Sequence, residues 1–422
     1  MNTGRFNPAF AYVTTLFFMW GFVTSTIDPL VPSVRSVFSL SYAESMLTQF
    51  AFFLAYGIVS LPAAAVLARL GFPRAIILAL GAMMFGCLLM PLATEGGHYW
   101  MVLAALFVIA AGITQLQVAA NPLAALLGPP ARSHFRLTLS QAVNSAGHVL
   151  APVVASYIML RGGVFGGGSS SGDDMRAATL RHVDWQFLMI AALIGLLVLF
   201  LWRVRARLNV QTVAPETATA SPLAALTSRW ALFGALAVFL YVGAEVAIGS
   251  VMINFLHQPS VLAVDYDEAG RLLGLYWGSA MVGRALGSLV LIRIRAERLL
   301  AVAAAVALLL CLVVTQAGAL TPGAIAGWAA LAIGFFNSVM FPTIFTLTLE
   351  RSTAPTASTS GLLCMAIVGG AVIPVLMGLA ADQVGLALAF FIPLVAYACV
   401  VAFALLGPRG RNAVTAVSAS EP

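Results

Sequence analysis

The side chains best able to do chemistry in this sequence are amides set inside apolar runs. Thr114, Gln117 and Asn121 stand at i, i+3 and i+7, a spacing that gathers them on one face of a helix. Gln141, Asn144 and His148 repeat that spacing after a short basic turn, GPPARSHFR. An amide donates and accepts at once, so two such stripes suit a ligand rich in hydroxyls. Two acids join them. Asp28 follows Trp20 and Thr24 by eight and four residues, and Glu245 follows Tyr241 by four. An acid held away from bulk water can take up and release a proton near neutral pH. Asn337 is a further amide candidate, and Tyr276 and Trp277 offer faces for stacking, although aromatics at such positions more often serve packing. His148 either titrates near neutral pH or is a satisfied core histidine. Arg284 is expected to reach for an interface or pair with a helix end rather than touch a ligand. No catalytic triad, metal-ligand cluster, phosphate loop or nucleotide fingerprint is present. The expectation is therefore no catalytic residues, no metal, no cofactor, and no energy source other than an ion gradient.

The elements that must hold these groups follow from composition. The chain has 422 residues, 61% hydrophobic and 9% charged, with a mean hydropathy of +0.99. A soluble domain carries roughly 25% charged residues, so the composition predicts an integral membrane protein. At about 20 apolar residues per crossing, twelve spans are expected, near 9–33, 44–69, 74–93, 99–127, 138–160, 184–203, 229–255, 270–292, 298–317, 323–349, 358–382 and 386–406. All 21 basic residues are arginine, and fifteen of them fall on one side of a twelve-span arrangement against five on the other. That bias places both termini in the cytoplasm and removes any need to invoke nucleic acid. The four cysteines lie far apart inside apolar runs and read as small core hydrophobes. The first apolar run carries Asp28 and leads into Pro29 and Pro32, so it is expected to be a retained span, not a cleaved leader. Residues 161–183 are Gly/Ser-rich and are expected to form a flexible external loop.

An internal repeat divides the chain. LARLGFPR (67–74) matches LIRIRAER (291–298) at an offset of 224. Gly147 and Pro152 match Gly369 and Pro374, and Gly112 and Gln115 match Gly334 and Asn337, at an offset of 222. The expectation is an all-α integral membrane protein of twelve transmembrane helices in two pseudo-symmetric six-helix halves. The halves are assigned to 1–203 and 229–422, with 204–228 as a cytoplasmic linker.

Several blocks now carry a resemblance. FFMWGFVTSTIDPLVP (17–32), LQVAANPLAALLGPP (116–130), RLTLSQAVNSAGHVLAP (136–152), FLYVGAEVAIGS (239–250), LYWGSAMVGRALGS (275–288), FFNSVMFPTIFTLTLE (335–350) and GLLCMAIVGGAVIP (361–374) together resemble the fucose/glucose/galactose–proton symporter family of the major facilitator superfamily, over nearly the whole chain. The resemblance implies a bacterial inner-membrane sugar–proton symporter of the major facilitator fold, working by alternating access, with no obligatory protein partner. Asp28 matches the family's first-span aspartate, associated with proton coupling and sugar binding. Asn121, Gln141 and Asn144 match its polar positions in the fourth and fifth spans. At Gln117 the fucose branch carries a glutamate; the amide here, with a carboxylate kept at Glu245, looks more like the glucose/galactose branch. Proton coupling is thus expected at Asp28 and Glu245. Substrate contacts are expected from Gln117, Asn121, Gln141, Asn144, Tyr241, Asn337, Trp277 and His148, with sugar held between the halves. Glucose or galactose is the expected cargo; N-acetylglucosamine or fucose uptake, or proton-coupled export, are the alternatives.

Overall fold

A computed structural model describes residues 8–40, 47–159, 172–204 and 221–406. Among these residues every named element is helical. In chain order they are α1 (Pro8–Ser25), α2 (Ile27–Phe38), α3 (Leu47–Glu95), α4 (Tyr99–Leu126), α5 (Ser133–Met159), α6 (Gly172–Val204), α7 (Arg229–His257), α8 (Tyr266–Val290), α9 (Ala296–Thr315), α10 (Gly323–Asn337), α11 (Met340–Arg351), α12 (Thr356–Met365), α13 (Gly369–Val384), α14 (Leu386–Ala389) and α15 (Phe391–Leu406).

These helices map onto twelve crossings. α1 with α2 forms the first. α3 carries the second and third, reversing at Gly71, whose φ of 72° and ψ of 172° lie in a region that glycine tolerates best. α4 to α9 are the fourth to ninth. The last three crossings are α10 with α11, α12 with α13, and α14 with α15. The outer faces are apolar: Leu196 and Leu199 on α6 are each 64% exposed, and Leu405 on α15 is 68% exposed. Such a surface is costly in water and matches a lipid environment. The sixth crossing is longer than its apolar run, because α6 begins at Gly172. Residues 172–183, expected as loop, are therefore helical; the stretch DMRAATLRHV is dominated by helix formers and lets α6 extend past the apolar run. Residues 160–171, the linker residues 205–220 and the C-terminal residues 407–422 lie outside the described residues.

The chain separates into two compact units. One comprises residues 1–123 with 143–222, and the other 124–142 with 223–422. In the first, α1 and α5 cross at a pair of glycines. A Cβ on Gly21 would lie 2.5 Å from the Asn144 Nδ2, and one on Gly147 would lie 2.5 Å from the Phe18 carbonyl oxygen and 2.8 Å from the Phe22 nitrogen. In the second unit α7 and α13 meet in the same way. A Cβ on Gly243 would lie 2.9 Å from the Gly369 carbonyl oxygen, and Gly369 itself lies against the Phe239 backbone. Gly21 and Gly243, like Gly147 and Gly369, are 222 positions apart. Small residues let two backbones approach closely inside a bilayer, where packing and not the hydrophobic effect joins helices.

The second unit also takes in the start of α5 and the turn before it. Arg136 is buried and folds back over the C-terminal end of α4, donating through Nε to the Ala124 carbonyl at 3.1 Å and through a terminal nitrogen to the Pro129 carbonyl at 2.9 Å. A guanidinium there satisfies carbonyls that the helix leaves unpaired and suits the negative end of its dipole. On the neighbouring turn, His134 Nε2 lies 3.2 Å from Glu350 Oε1 of α11, and the Ser133 hydroxyl donates to the same oxygen at 2.9 Å.

Candidate functional site

The first unit holds the amide stripe of α4. Thr114, Gln117 and Asn121 are all buried, as their common face requires. Gln117 Nε2 donates to the Tyr56 hydroxyl of α3 at 2.6 Å, and Gln115 Nε2 reaches the Ala63 carbonyl at 3.5 Å. Asn144 Nδ2 donates to the Phe17 carbonyl of α1 at 2.8 Å, so one of its two N–H groups ties the fifth crossing to the first. One turn further on, His148 Nδ1 meets the Ser25 hydroxyl where α1 ends. Gln141 is buried on the same helix and falls in the part of α5 that belongs to the second unit. The hydroxyls of Thr114 and Thr24 are buried without a hydrogen-bond partner. Buried polar atoms are nearly always satisfied, so these two are exceptions to that rule. Asp28 lies in α2, two residues beyond the Thr26 break between α1 and α2; its side chain lies outside the described residues. The break has a covalent cause, since Pro29 cannot donate to the carbonyl of Ser25.

The second unit gathers a different set. Glu245 and Tyr241 on α7 are buried, and Arg284 of α8 turns inward to place a terminal nitrogen 3.6 Å from Glu245 Oε1. Arg284 Nε also donates to the Ser338 carbonyl at 3.2 Å. It therefore pairs with a helix end, as the sequence suggested, and with an acid as well. The tenth crossing is broken at Ser338 and Val339, between α10 and α11. Pro342 lacks the N–H that would reach back four residues to the Ser338 carbonyl, which leaves that oxygen for Arg284. The adjacent Asn337 carbonyl accepts the Tyr241 hydroxyl at 3.0 Å. The Asn337 side chain is held between two tyrosines: Nδ2 donates to the Tyr276 hydroxyl at 3.0 Å, and Oδ1 accepts the Tyr397 hydroxyl at 2.7 Å. Tyr276 in turn donates to the Glu245 backbone carbonyl at 3.1 Å. Trp277 stands apart from this network. It is 42% exposed, packs edge-on to Tyr276 at 5.0 Å between ring centroids, and lies across Gly249 of α7.

The structure thus brings Glu245, Tyr241 and Asn337 together in one unit. It places Gln117, Asn121, Asn144 and His148 in the other. Three pairings carry no expectation from the sequence: Gln117 with Tyr56, Asn337 with Tyr397, and Arg284 with Glu245. A tyrosine in mid-span was the available signal for the first two, but nothing local said which amide each would meet.

Comparison with known proteins agrees with this architecture. The model of the Major Facilitator Superfamily matches residues 13–364. The chain is 41% identical over 401 residues to the glucose/galactose transporter of Brucella abortus, covering 95% of this chain and 94% of that protein. It is 30% identical over 414 residues to the L-fucose-proton symporter of Escherichia coli, with 94% and 92% covered. Among solved structures it is similar to FucP, a Major Facilitator Superfamily transporter in the outward conformation, with a TM-score of 0.83 at 27% identity, covering 95% of this chain and 98% of that one.

Proposed function

This chain belongs to the Major Facilitator Superfamily, and from that footing we propose that it takes up a hexose, glucose or galactose, together with protons. The observation that carries the reading is the near full-length similarity to a glucose/galactose transporter, and the two polar clusters suit it. The α4 and α5 amides and the two unpartnered threonine hydroxyls offer neutral donors and acceptors of the kind a sugar needs. Glu245, with Asp28, supplies the ionisable groups that a proton-coupled carrier requires, and acids at membrane depth are functional by default. No cofactor enters the scheme; the proton gradient is the energy source. The protein is a multi-pass membrane transporter; the arginine bias supports both termini in the cytoplasm, and the similarity to bacterial transporters supports an inner membrane. Fucose is the second reading, favoured by the similarity to the L-fucose-proton symporter. Purified protein in proteoliposomes tests both. Radiolabelled glucose or galactose should accumulate when the outside is made acid, and unlabelled fucose should compete poorly. Uptake indifferent to the imposed pH gradient would sink the coupling.

A further inference from the structure

The second unit contains one arrangement that this reading leaves unused. Two adjacent carbonyls of the broken tenth crossing, Asn337 and Ser338, accept from Tyr241 and Arg284, the second of which also stands beside the Glu245 carboxyl. Arg284 donates to the Ser338 oxygen at 3.2 Å while standing 3.6 Å from Glu245 Oε1. Tyr241, one turn before Glu245 on α7, donates to the Asn337 oxygen at 3.0 Å. Glu245 Oε1 itself is buried and accepts no hydrogen bond. At 3.6 Å the Arg284 guanidinium compensates that oxygen by charge but not by a hydrogen bond, so an ionised carboxylate there would draw its donors closer. The donors are turned towards the break.

We propose that Arg284 and Tyr241 are positioning residues that pass the charge state of Glu245 to the break between α10 and α11. The inference rests on Glu245 being a coupling acid, as in the reading above. With Glu245 ionised, the guanidinium and the tyrosine hydroxyl are both drawn to the carboxylate, because hydrogen bonds to a charged acceptor are about twice as strong as those to a neutral one. The Asn337 and Ser338 carbonyls then lose their partners. When the carboxylate takes one proton from water it becomes a neutral acid, and no other bond forms or breaks. Its O–H can then donate to a neighbouring oxygen, the Tyr241 hydroxyl keeps its hydrogen bond to the Asn337 carbonyl, and Arg284 keeps Ser338. The break therefore has two hydrogen-bonded states selected by a single proton. Irregular backbone at membrane depth persists only where such partners serve it, so exchanging the partners must shift the angle between α10 and α11. The other titratable groups around the pair are Tyr276 on α8, beside Glu245, and behind it Cys311 on α9 and Tyr397 on α15.

Pro342 provides the test, because it sits outside both the sugar-binding and the proton-binding groups. Pro342→Ala restores an N–H that can reach the Ser338 carbonyl, so a helix bond competes with Arg284 and the break no longer depends on it. In full-length protein reconstituted with labelled glucose, sugar-for-sugar exchange should persist in Pro342→Ala. Its dependence on pH should flatten, and the accumulation ratio under a pH gradient should fall by about tenfold. Arg284→Lys keeps a charge for Glu245 but loses the guanidinium Nε–H that reaches the Ser338 carbonyl; its accumulation should fall likewise, with its melting temperature checked against wild type. The inference fails if both variants keep the wild-type pH profile and accumulation ratio. It also fails if exchange and accumulation decline in parallel with the profile unshifted, the mark of a merely structural role. If wild type itself accumulates no sugar under a pH gradient, the hexose–proton reading falls first and this inference falls with it.

Discussion

Gln117 and Tyr56 set the first question, because a bond of 2.6 Å between them either orients the amide for a ligand or consumes it. Gln117 has one further N–H and a carbonyl oxygen, each able to serve a sugar hydroxyl. A double-mutant cycle separates the two cases. Gln117→Ala should weaken sugar binding by about 1–3 kcal/mol through hydroxyls left unpaired. Tyr56→Phe should cost less, and the two losses should fall short of additive because Tyr56 acts through Gln117. Unchanged affinity in both variants would make the pair a structural tie. Asn144 is a stricter case, since part of its capacity is spent on the Phe17 carbonyl. Asn144→Ala should lower affinity by a similar amount and also lower thermal stability, because a buried carbonyl loses its donor. A loss of stability with binding untouched would assign Asn144 to the scaffold.

The helices show what holds these side chains in place. The crossings of α1 with α5 and of α7 with α13 each rest on a glycine whose hydrogen faces a neighbouring backbone. Gly21→Ala or Gly243→Ala should destabilise the protein by about 1–3 kcal/mol through overpacking, read as a lower melting temperature in detergent. Glycines with open space, such as Gly81 of α3, should tolerate alanine. The start of α5 makes a different kind of contact. Glu350 accepts from Ser133 and lies 3.2 Å from His134, yet its side chain is 42% exposed. A pair as wet as this is worth about 1 kcal/mol or less. Glu350→Gln should therefore speed amide exchange over residues 133–142 only a few-fold, and no change would show that Arg136 alone holds the turn. Much of this scale could be read from the sequence. The amide spacing on α4 put Thr114, Gln117 and Asn121 on one buried face, and the offset of 222 marked both glycine crossings, because helical periodicity and close packing leave local traces. The break at Ser338 left only Pro342 as its trace. A proline is tolerated in a membrane helix whenever another donor serves the freed carbonyl, and that donor, Arg284, comes from a different helix 54 positions away. Long-range partners such as Tyr56 for Gln117 and Tyr397 for Asn337 have no local signature at all.

Across the molecule, the two halves repeat a scaffold and diverge in chemistry. The amide–tyrosine tie between the fourth and second crossings, Gln117 to Tyr56, recurs between the tenth and eighth as Asn337 to Tyr276. The neighbouring charges are not repeated. In the first half the fourth-crossing position is the neutral Gln117, whereas the second half brings a buried acid and an arginine against its tie. The first helix of each half nevertheless carries one acid, Asp28 and Glu245. A carrier that recognises sugar with neutral groups and couples through acids elsewhere should let the two functions be separated by mutation. Asp28→Asn and Glu245→Gln remove charge with little change in shape, so each should retain exchange of internal for external sugar. Each should lose accumulation against a gradient, because a coupling site fixed in its neutral form no longer requires a proton to move with the sugar. In proteoliposomes loaded with sugar, exchange in Glu245→Gln should also vary less with pH than in wild type, since the acid proposed to carry the proton in the second unit is gone. Accumulation persisting in both variants would place the proton route outside Asp28 and Glu245. Loss of exchange together with accumulation in either one would instead make that acid part of the sugar site.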